Sequence, residues 1–153
     1  MKKYIILVPI YNDRESLKTL IENINQEVNI INIEISILVI NDASSQQIVD
    51  NYPNTENINS IEIINMKQNK GHARCIASGL KYIYEKKEFD YVIPMDGDGE
   101  DRPIEIKNFI QLSEQAGDRS IVGERVKRSE GLFFKLCYQF HKYLTLAFTG
   151  QSI

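Results

Sequence analysis

Two aspartates, Asp96 and Asp98, stand two residues apart within residues 91–103, which read YVIPMDGDGEDRP. They follow a short apolar run at residues 91–95, whose composition is typical of a buried strand. In an extended segment residues two apart point to the same face, and two close carboxylates resist joint ionisation unless a cation compensates them. Oxygen donors suit a hard cation such as Mg²⁺ or Mn²⁺. The stretch therefore predicts a divalent-metal site that holds a phosphate-bearing ligand.

Three other interpretations of this acidic turn are open. The simplest is a solvated acidic loop. In a calcium loop of the D-x-D-x-D-G type Glu100 could fill the third ligand position, but Asp101 stands where glycine is required and no helix precedes the motif. Phosphatases with an aspartate nucleophile also carry D-x-D after a buried strand. However, they have Thr or Val where Glu100 stands, and their motif normally follows the first strand.

Two further groups of residues could bind a phosphate-bearing ligand. Asp42 follows the apolar run 35–40, so its carboxyl also stands where a buried strand ends. Gly71, near the start of a predicted helix, allows close backbone approach to an anion, and Arg74 adds a fork that suits a diphosphate. Each has a simpler interpretation, since Gly71 could be an ordinary turn glycine and Arg74 a solvated cation. His72 could act as a base or a ligand, but a lone loop histidine more often does neither.

The elements that must carry these residues alternate between strands and helices. Short apolar runs predict five strands, at residues 4–9, 35–40, 60–65, 91–95 and 120–123. Helical spacing predicts buried helix faces formed by Leu17, Leu20, Ile21 and Ile24, by Ile76, Leu80, Ile83 and Tyr84, and by Ile106, Phe109 and Ile110. Ser44 or Ser45 is expected to cap a short helix after the second strand. This order predicts an α/β fold, a mostly parallel sheet with helices on both faces, whose strand ends gather polar groups at one edge.

Composition excludes several classes of protein. The 153 residues, 42% hydrophobic and 25% charged, suit one soluble globular chain. A net charge of −3, without a basic run interleaved with aromatic residues, argues against a nucleic-acid partner. Cys75 and Cys137 lie far apart without a CxxC motif, and the N-terminus does not resemble a secretion signal, so reduced cysteines and a cytoplasmic location are expected. No run of about 20 apolar residues predicts a membrane span.

The C-terminal stretch differs in character from the rest. Within residues 132–149, apolar and aromatic residues at helical spacing are interspersed with Lys135 and Lys142. This pattern suits an amphipathic helix at a membrane interface, and equally a core or dimer-contact helix. The expected organisation is therefore a ligand-binding domain at residues 1–128, followed by an amphipathic helical tail at 129–153.

As an ordered set, four short motifs resemble those of family-two glycosyltransferases with the GT-A fold, a Rossmann-like fold that binds nucleotide-diphospho-sugars. The motifs are VPIYND at residues 8–13, VINDAS at 39–44, NKGH at 69–72 and MDGD at 95–98. The match extends over most of residues 3–125. The third and fourth motifs, with Pro103 shortly after them, are most similar to the polyprenyl- or dolichyl-phosphate sugar transferases.

The resemblance implies a role for each matching residue on the donor side. The residues expected to bind the nucleotide sugar are Pro9, Tyr11, Asp13, Asp42, Gly71, Arg74, Asp96, Gly97 and Asp98. Asp42 is expected to hydrogen-bond the base, with Gly71 and Arg74 near the base or diphosphate. Asp96 and Asp98 are the expected catalytic pair and metal ligands for Mg²⁺ or Mn²⁺. The donor could carry UDP, GDP or dTDP.

On the acceptor side, the resemblance implies a polyprenyl phosphate at the cytosolic face of the cell membrane. Arg125 matches an arginine that faces the acceptor phosphate, and Lys135 is expected to assist it. In this family more sequence normally follows the position of Ile153, so a C-terminally truncated chain is expected. Two alternatives stay open: a non-catalytic nucleotide-sugar-binding or partner-binding module, and a transferase that acts on a glycan or protein acceptor. A homodimer formed through the apolar tail is a further expectation.

Overall fold

The computed structural model describes residues 1–29, 33–48, 52, 55–117, 119–123 and 140. The chain forms two compact units, Met1–Asp118 and Arg119–Ile153. The first unit holds every helix and strand described below. The predicted boundary between residues 128 and 129, and most of the predicted tail, lie outside the described residues.

Four parallel strands form the sheet of the first unit. They are β1 (Lys2–Ile10), β2 (Ile33–Asn41), β3 (Ser60–Asn65) and β4 (Tyr91–Pro94), in the spatial order β3-β2-β1-β4. The first three strands end in register, with Ile10 opposite Asn41 and Asn41 opposite Asn65. The prediction of a parallel sheet is confirmed.

Helices cover both faces of this sheet, as predicted. They are α1 (Arg14–Glu27), α2 (His72–Lys86) and α3 (Ile106–Ala116), and a 3₁₀ turn at Pro103–Glu105 leads into α3. Alternate residues of β1 face opposite sides, so Ile6 packs in one apolar cluster with α1 and α3 while Leu7 packs in another with α2. A central strand buried on both faces needs apolar residues at every position, which explains the continuous run in β1.

The buried face of α1 is the predicted one, but that of α2 is rotated. The apolar residues of α1 predicted to face the core, Leu17, Leu20, Ile21 and Ile24, are all buried. In α2 the buried residues are Cys75, Gly79 and Ile83, whereas Leu80 is exposed and Tyr84 is 81% exposed. Gly79 allows the helix to approach the sheet closely, because a Cβ there would overlap the side chain of Leu7.

Two predicted elements are corrected. Residues 119–123 contain no strand, and Val122 is 86% exposed, so the run at 120–123 is not a buried fifth strand. Residues 42–48 contain no helix. The serines expected to cap one instead hydrogen-bond Asn12 in the loop after β1: the Asn12 N–H donates to Ser44 Oγ, and the Ser45 N–H donates to Asn12 Oδ1, both at 2.8 Å.

Candidate functional site

The strand order creates a crevice at the carboxyl ends of β1 and β4. The chain moves outward from β1 to β2 and β3, then returns through α2 to place β4 on the other side of β1. The strand order therefore reverses beside β1, and open α/β sheets bind ligands at such a switch point. Among the described helices, none is long and apolar enough to cross a bilayer.

The acidic turn after β4 lies against the end of β1. The Met95 N–H donates to the Leu7 carbonyl at 2.9 Å, which continues the β1–β4 pairing. A Cβ on Gly97 would lie 3.1 Å from the Pro9 carbonyl oxygen, a tighter contact than most Cβ atoms make, so glycine favours this close approach. Gly97 therefore has a packing role in addition to any contact with a ligand.

Two carboxylates stabilise the acidic turn from within. The backbone N–H of Asp96 donates to Asp101 Oδ2 at 2.8 Å, and that of Glu100 donates to Asp98 Oδ1 at 2.9 Å. These bonds hold the backbone around Asp96 and Asp98 before any ligand arrives.

Negative charge accumulates in this turn. Burial is the largest cause that raises the pKa of Asp96, and the charges of Asp101, Asp98 and Glu100 raise it further, while His72 opposes them. Mutual repulsion of this kind is what a bound cation would relieve. The electrostatics of this turn are therefore consistent with the cation that the sequence predicts here.

Asp42 is buried at the end of β2 and is fully engaged with backbone groups. The residue is 3% exposed, and its two carboxylate oxygens accept hydrogen bonds from the N–H groups of Lys70 (2.7 Å) and Gly71 (2.8 Å). Burial by itself would raise the pKa of Asp42, but the bonds from Lys70, Gly71 and the Cys75 thiol outweigh it, so the pKa lies below its ordinary value. In this structure Asp42 holds the loop that precedes α2.

Gly71 connects this loop to α2 through a backbone conformation that favours glycine. Its φ is +86° and its ψ 159°, and no atom lies within 4 Å of the position that a Cβ would take. The requirement for glycine is therefore conformational and not steric. This geometry turns the chain so that His72 begins the helix.

His72 contacts the acidic turn directly. Its Nε2 lies 3.3 Å from Oδ1 of Asp96. The sequence shows His72 only as a lone loop histidine, and it does not predict this contact. The signal available was its place in the NKGH motif, because neighbouring Gly71 was already a candidate site residue.

The remaining residues of the crevice come from the loop after β1. Tyr11 is 53% exposed beside Asn12, which ties this loop to the loop after β2. Asp13 accepts a hydrogen bond from the Ser16 N–H at 3.2 Å and caps α1. A contact of Asp13 with a nucleotide stays a prediction.

The structure brings most of the predicted site residues to the carboxyl edge of the sheet. Those in the loops and ends that follow β1, β2, β3 and β4 are Pro9, Tyr11, Asp13, Asp42, Gly71, Asp96, Gly97 and Asp98. Arg74 is exposed in the first turn of α2. Arg125 and Lys135 lie outside the described residues.

The carboxylates of Asp96 and Asp98 fit a divalent cation of the Mg²⁺ type. Within the described residues, no three His, Cys, Asp or Glu side chains are grouped so as to hold a metal ion by themselves. Mg²⁺ is typically bound by one or two carboxylates, and substrate phosphates supply further ligands. The two aspartates match that arrangement when a diphosphate is also present.

Beside Asp98, a groove of about 480 Å³ runs between α1 and the turn before α3. Its walls include Ser16 and Thr19 on one side and Asp101 and Arg102 on the other. Asp98 thus lines an open groove, and Asp96 is not among the residues that line it.

Comparison with known proteins identifies relatives over nearly the whole chain. The model of glycosyl transferase family 2 matches residues 5–149. Undecaprenyl-phosphate 4-deoxy-4-formamido-L-arabinose transferases from Yersinia enterocolitica and Photorhabdus laumondii are both 27% identical, over 156 and 158 residues. Each match covers 100% of this chain and 46% of the relative, so the chain spans about half the length of these relatives.

Solved structures show the same fold. S. aureus TarS is 19% identical with a TM-score of 0.60, and the match covers 85% of this chain and 24% of TarS. Residues 1–349 of TarS in complex with UDP give the same identity and TM-score over 84% of this chain and 40% of that one. The expected GT-A fold is confirmed.

Proposed function

Because the chain belongs to glycosyl transferase family 2, we propose that its switch-point crevice binds a nucleotide-diphosphate sugar and transfers the sugar to an acceptor. The observation that carries this proposal is the convergence of Tyr11, Asp42, Gly71 and the Asp96–Asp98 turn at one edge of the sheet. Each comes from a different loop, and together they offer an aromatic surface, a helix start and a carboxylate pair.

The donor diphosphate is the ligand that best suits the middle of this crevice. In the described part of the chain, no side chain caps α2 and its first turn holds no acidic residue. The amide N–H groups at such a helix start attract an anion, and Arg74 adds positive charge in the same turn. Tyr11, half exposed, is available to border the nucleotide.

Asp96 and Asp98 would hold Mg²⁺ or Mn²⁺, which supplies a Lewis acid to the diphosphate leaving group. In the proposed reaction an acceptor oxygen attacks the anomeric carbon. The bond from that carbon to the diphosphate breaks, and its electron pair stays on the diphosphate. The two aspartates would orient the leaving group. The hydrogen bonds that Asp101 accepts from the Asp96 N–H and that Asp98 accepts from the Glu100 N–H keep their turn in place.

The proposed acceptor is a polyprenyl phosphate, at the inner face of the membrane. Support comes from the names of the curated relatives, which are undecaprenyl-phosphate sugar transferases. Arg125 and Lys135 are proposed to face the acceptor phosphate on the grounds of the sequence resemblance. The dimer and the membrane contact through residues 132–149 stay predictions.

The donor half of this proposal is tested by calorimetric titration of the protein with UDP, GDP and dTDP, each with Mn²⁺ and with a chelator. Binding of one nucleotide that strengthens with Mn²⁺ supports the proposal and names the base. Folded protein that binds none of the three contradicts it. Sugar transfer from that nucleotide's sugars to undecaprenyl phosphate then separates a transferase from a binding module.

A further inference from the structure

The contact between His72 and Asp96 has no role in the function proposed so far. Asp96 Oδ1 lies 3.3 Å from His72 Nε2, and the backbone N–H of Asp96 is bound by Asp101. The backbone and the side chain of Asp96 are thus each held by a different residue. A carboxylate that must bind a metal benefits from such constraint, because outer partners set the orientation of metal ligands.

His72 is itself held in place by a buried anchor. Asp42 accepts the N–H of Gly71, the residue directly before His72, and Asp42 also contacts the Cys75 thiol in the first turn of α2. The N–H groups of Arg74 and Cys75 both donate to the Gly71 carbonyl at 3.1 Å. These hydrogen bonds fix the start of α2 against the end of β2. They therefore also fix the backbone from which the His72 side chain extends.

We propose that His72 is a positioning residue: its Nε2–H donates to Asp96 Oδ1 and holds that carboxylate in the orientation in which it binds the divalent cation of the donor complex. This inference rests on the proposed function, since it presumes that Asp96 and Asp98 bind a cation together with a nucleotide diphosphate. It adds a residue outside the D-x-D motif to the metal-binding machinery.

The alternative is that the pair contributes only to stability. The side chains of His72 and Asp96 are 58% and 41% exposed, and exposed ion pairs contribute little to folding stability. Removal of the imidazole should therefore leave the unfolding temperature almost unchanged. A large loss of metal affinity without a loss of stability would distinguish positioning from folding.

The test compares His72→Ala and His72→Gln with the wild type and with Lys81→Ala, a matched exposed position farther along α2. Mn²⁺ affinity is measured from the electron paramagnetic resonance signal of free Mn²⁺, with the nucleotide that the wild type binds among UDP, GDP and dTDP. We expect His72→Ala to weaken Mn²⁺ binding about 10- to 100-fold. His72→Gln, which keeps an N–H donor, should recover most of that loss, and Lys81→Ala should match the wild type.

Other results separate this inference from the proposed function. If the wild type binds Mn²⁺ and nucleotide, but His72→Ala binds Mn²⁺ as tightly as the wild type, the positioning role is wrong and the proposed function stands. Equal losses in the Ala and Gln variants would also overturn it, since the donor group would then be irrelevant. If the wild type binds neither Mn²⁺ nor any of the three nucleotides, both the inference and the proposed function are wrong.

Discussion

Nε2 of His72 lies 3.3 Å from Oδ1 of Asp96, so the first residue of α2 contacts the acidic turn that follows β4. The two residues reach each other because α2 carries the chain back across the sheet and β4 pairs with the far side of β1. On the other side of the same junction, Asp42 holds Gly71. The ends of β2 and β4 are thus connected through the start of one helix.

Replacement of Asp42 by asparagine should destabilise the protein at neutral pH. An asparagine cannot accept from both Lys70 and Gly71 through two oxygens, so one partly buried N–H loses its partner. Such a loss costs about 1–3 kcal/mol. Urea denaturation at pH 7 measures the difference in the free energy of unfolding, and Glu85→Gln, an exposed change at the other end of α2, serves as the control.

The same substitution should change how stability depends on pH. The pKa of Asp42 is lowered in the folded protein, so its contribution is fully present above the ordinary aspartate value of about 3.9 and is lost as the pH falls through the lower folded value. The difference in stability between wild type and Asp42→Asn should therefore shrink below that ordinary value. A difference that stays constant down to the acid transition would contradict this assignment.

Gly71→Ala should destabilise the protein through its backbone alone. The φ of +86° with ψ of 159° suits glycine and costs other residues about 1–3 kcal/mol, although the space around Gly71 is open. The free energy of unfolding, measured in urea, should fall by that amount. Nucleotide affinity should fall as well, since Gly71 begins the proposed diphosphate site. An alanine variant with unchanged stability would show that the loop has another conformation.

Tyr11→Ala should weaken nucleotide binding without an effect on stability. Tyr11 is 53% exposed, and stacking of a base on an aromatic ring is worth about 1–3 kcal/mol, which corresponds to roughly 5- to 150-fold in affinity. Tyr84→Ala removes a tyrosine that is 81% exposed on α2 and should bind nucleotide as the wild type does. Calorimetry measures the nucleotide affinity of both variants. Equal affinities would show that Tyr11 does not contact the nucleotide.

Arg125→Ala should lower transfer to undecaprenyl phosphate by about tenfold or more while leaving nucleotide affinity unchanged. The reason is that Arg125 is assigned to the acceptor phosphate and not to the donor. Transfer of labelled sugar is measured at fixed, saturating donor while the lipid phosphate is varied. If the variant instead loses nucleotide affinity, Arg125 contacts the donor and not the acceptor phosphate.

Most of the fold could be predicted from the sequence because its two central strands are largely apolar on both faces. The runs in β1 and β2 have few alternatives to a central parallel strand, and the face of α1 is marked by large apolar residues. Helical spacing correctly placed Ile76 and Ile83 on the packed face of α2. It missed Gly79 and Cys75, which carry little hydrophobic weight, and wrongly included Leu80 and Tyr84, which carry much. Close packing against Leu7 selects the small residues.

The sequence predicts that the site residues follow the ends of strands, but it does not predict the contacts between those residues. The ends of β1, β2 and β4 place Tyr11, Asp42 and Asp96 at one edge in any parallel sheet. The His72–Asp96 contact depends on which side of β1 receives β4, and residue spacing does not encode that choice. Likewise, Asp42 accepts hydrogen bonds from backbone N–H groups, which every residue except proline possesses. The sequence therefore does not indicate which residues donate to Asp42.

In the proposed function the Asp96–Asp98 turn binds a nucleotide diphosphate through a divalent cation. The most direct test is the calorimetric affinity for nucleotide, with Mn²⁺ and with chelator, of the wild type, Asp98→Ala and the exposed control Glu85→Ala. We expect Mn²⁺ to strengthen binding in the wild type and in Glu85→Ala, and to have no effect on Asp98→Ala. Mn²⁺-enhanced binding that survives in folded Asp98→Ala would contradict the claim and place the cation elsewhere.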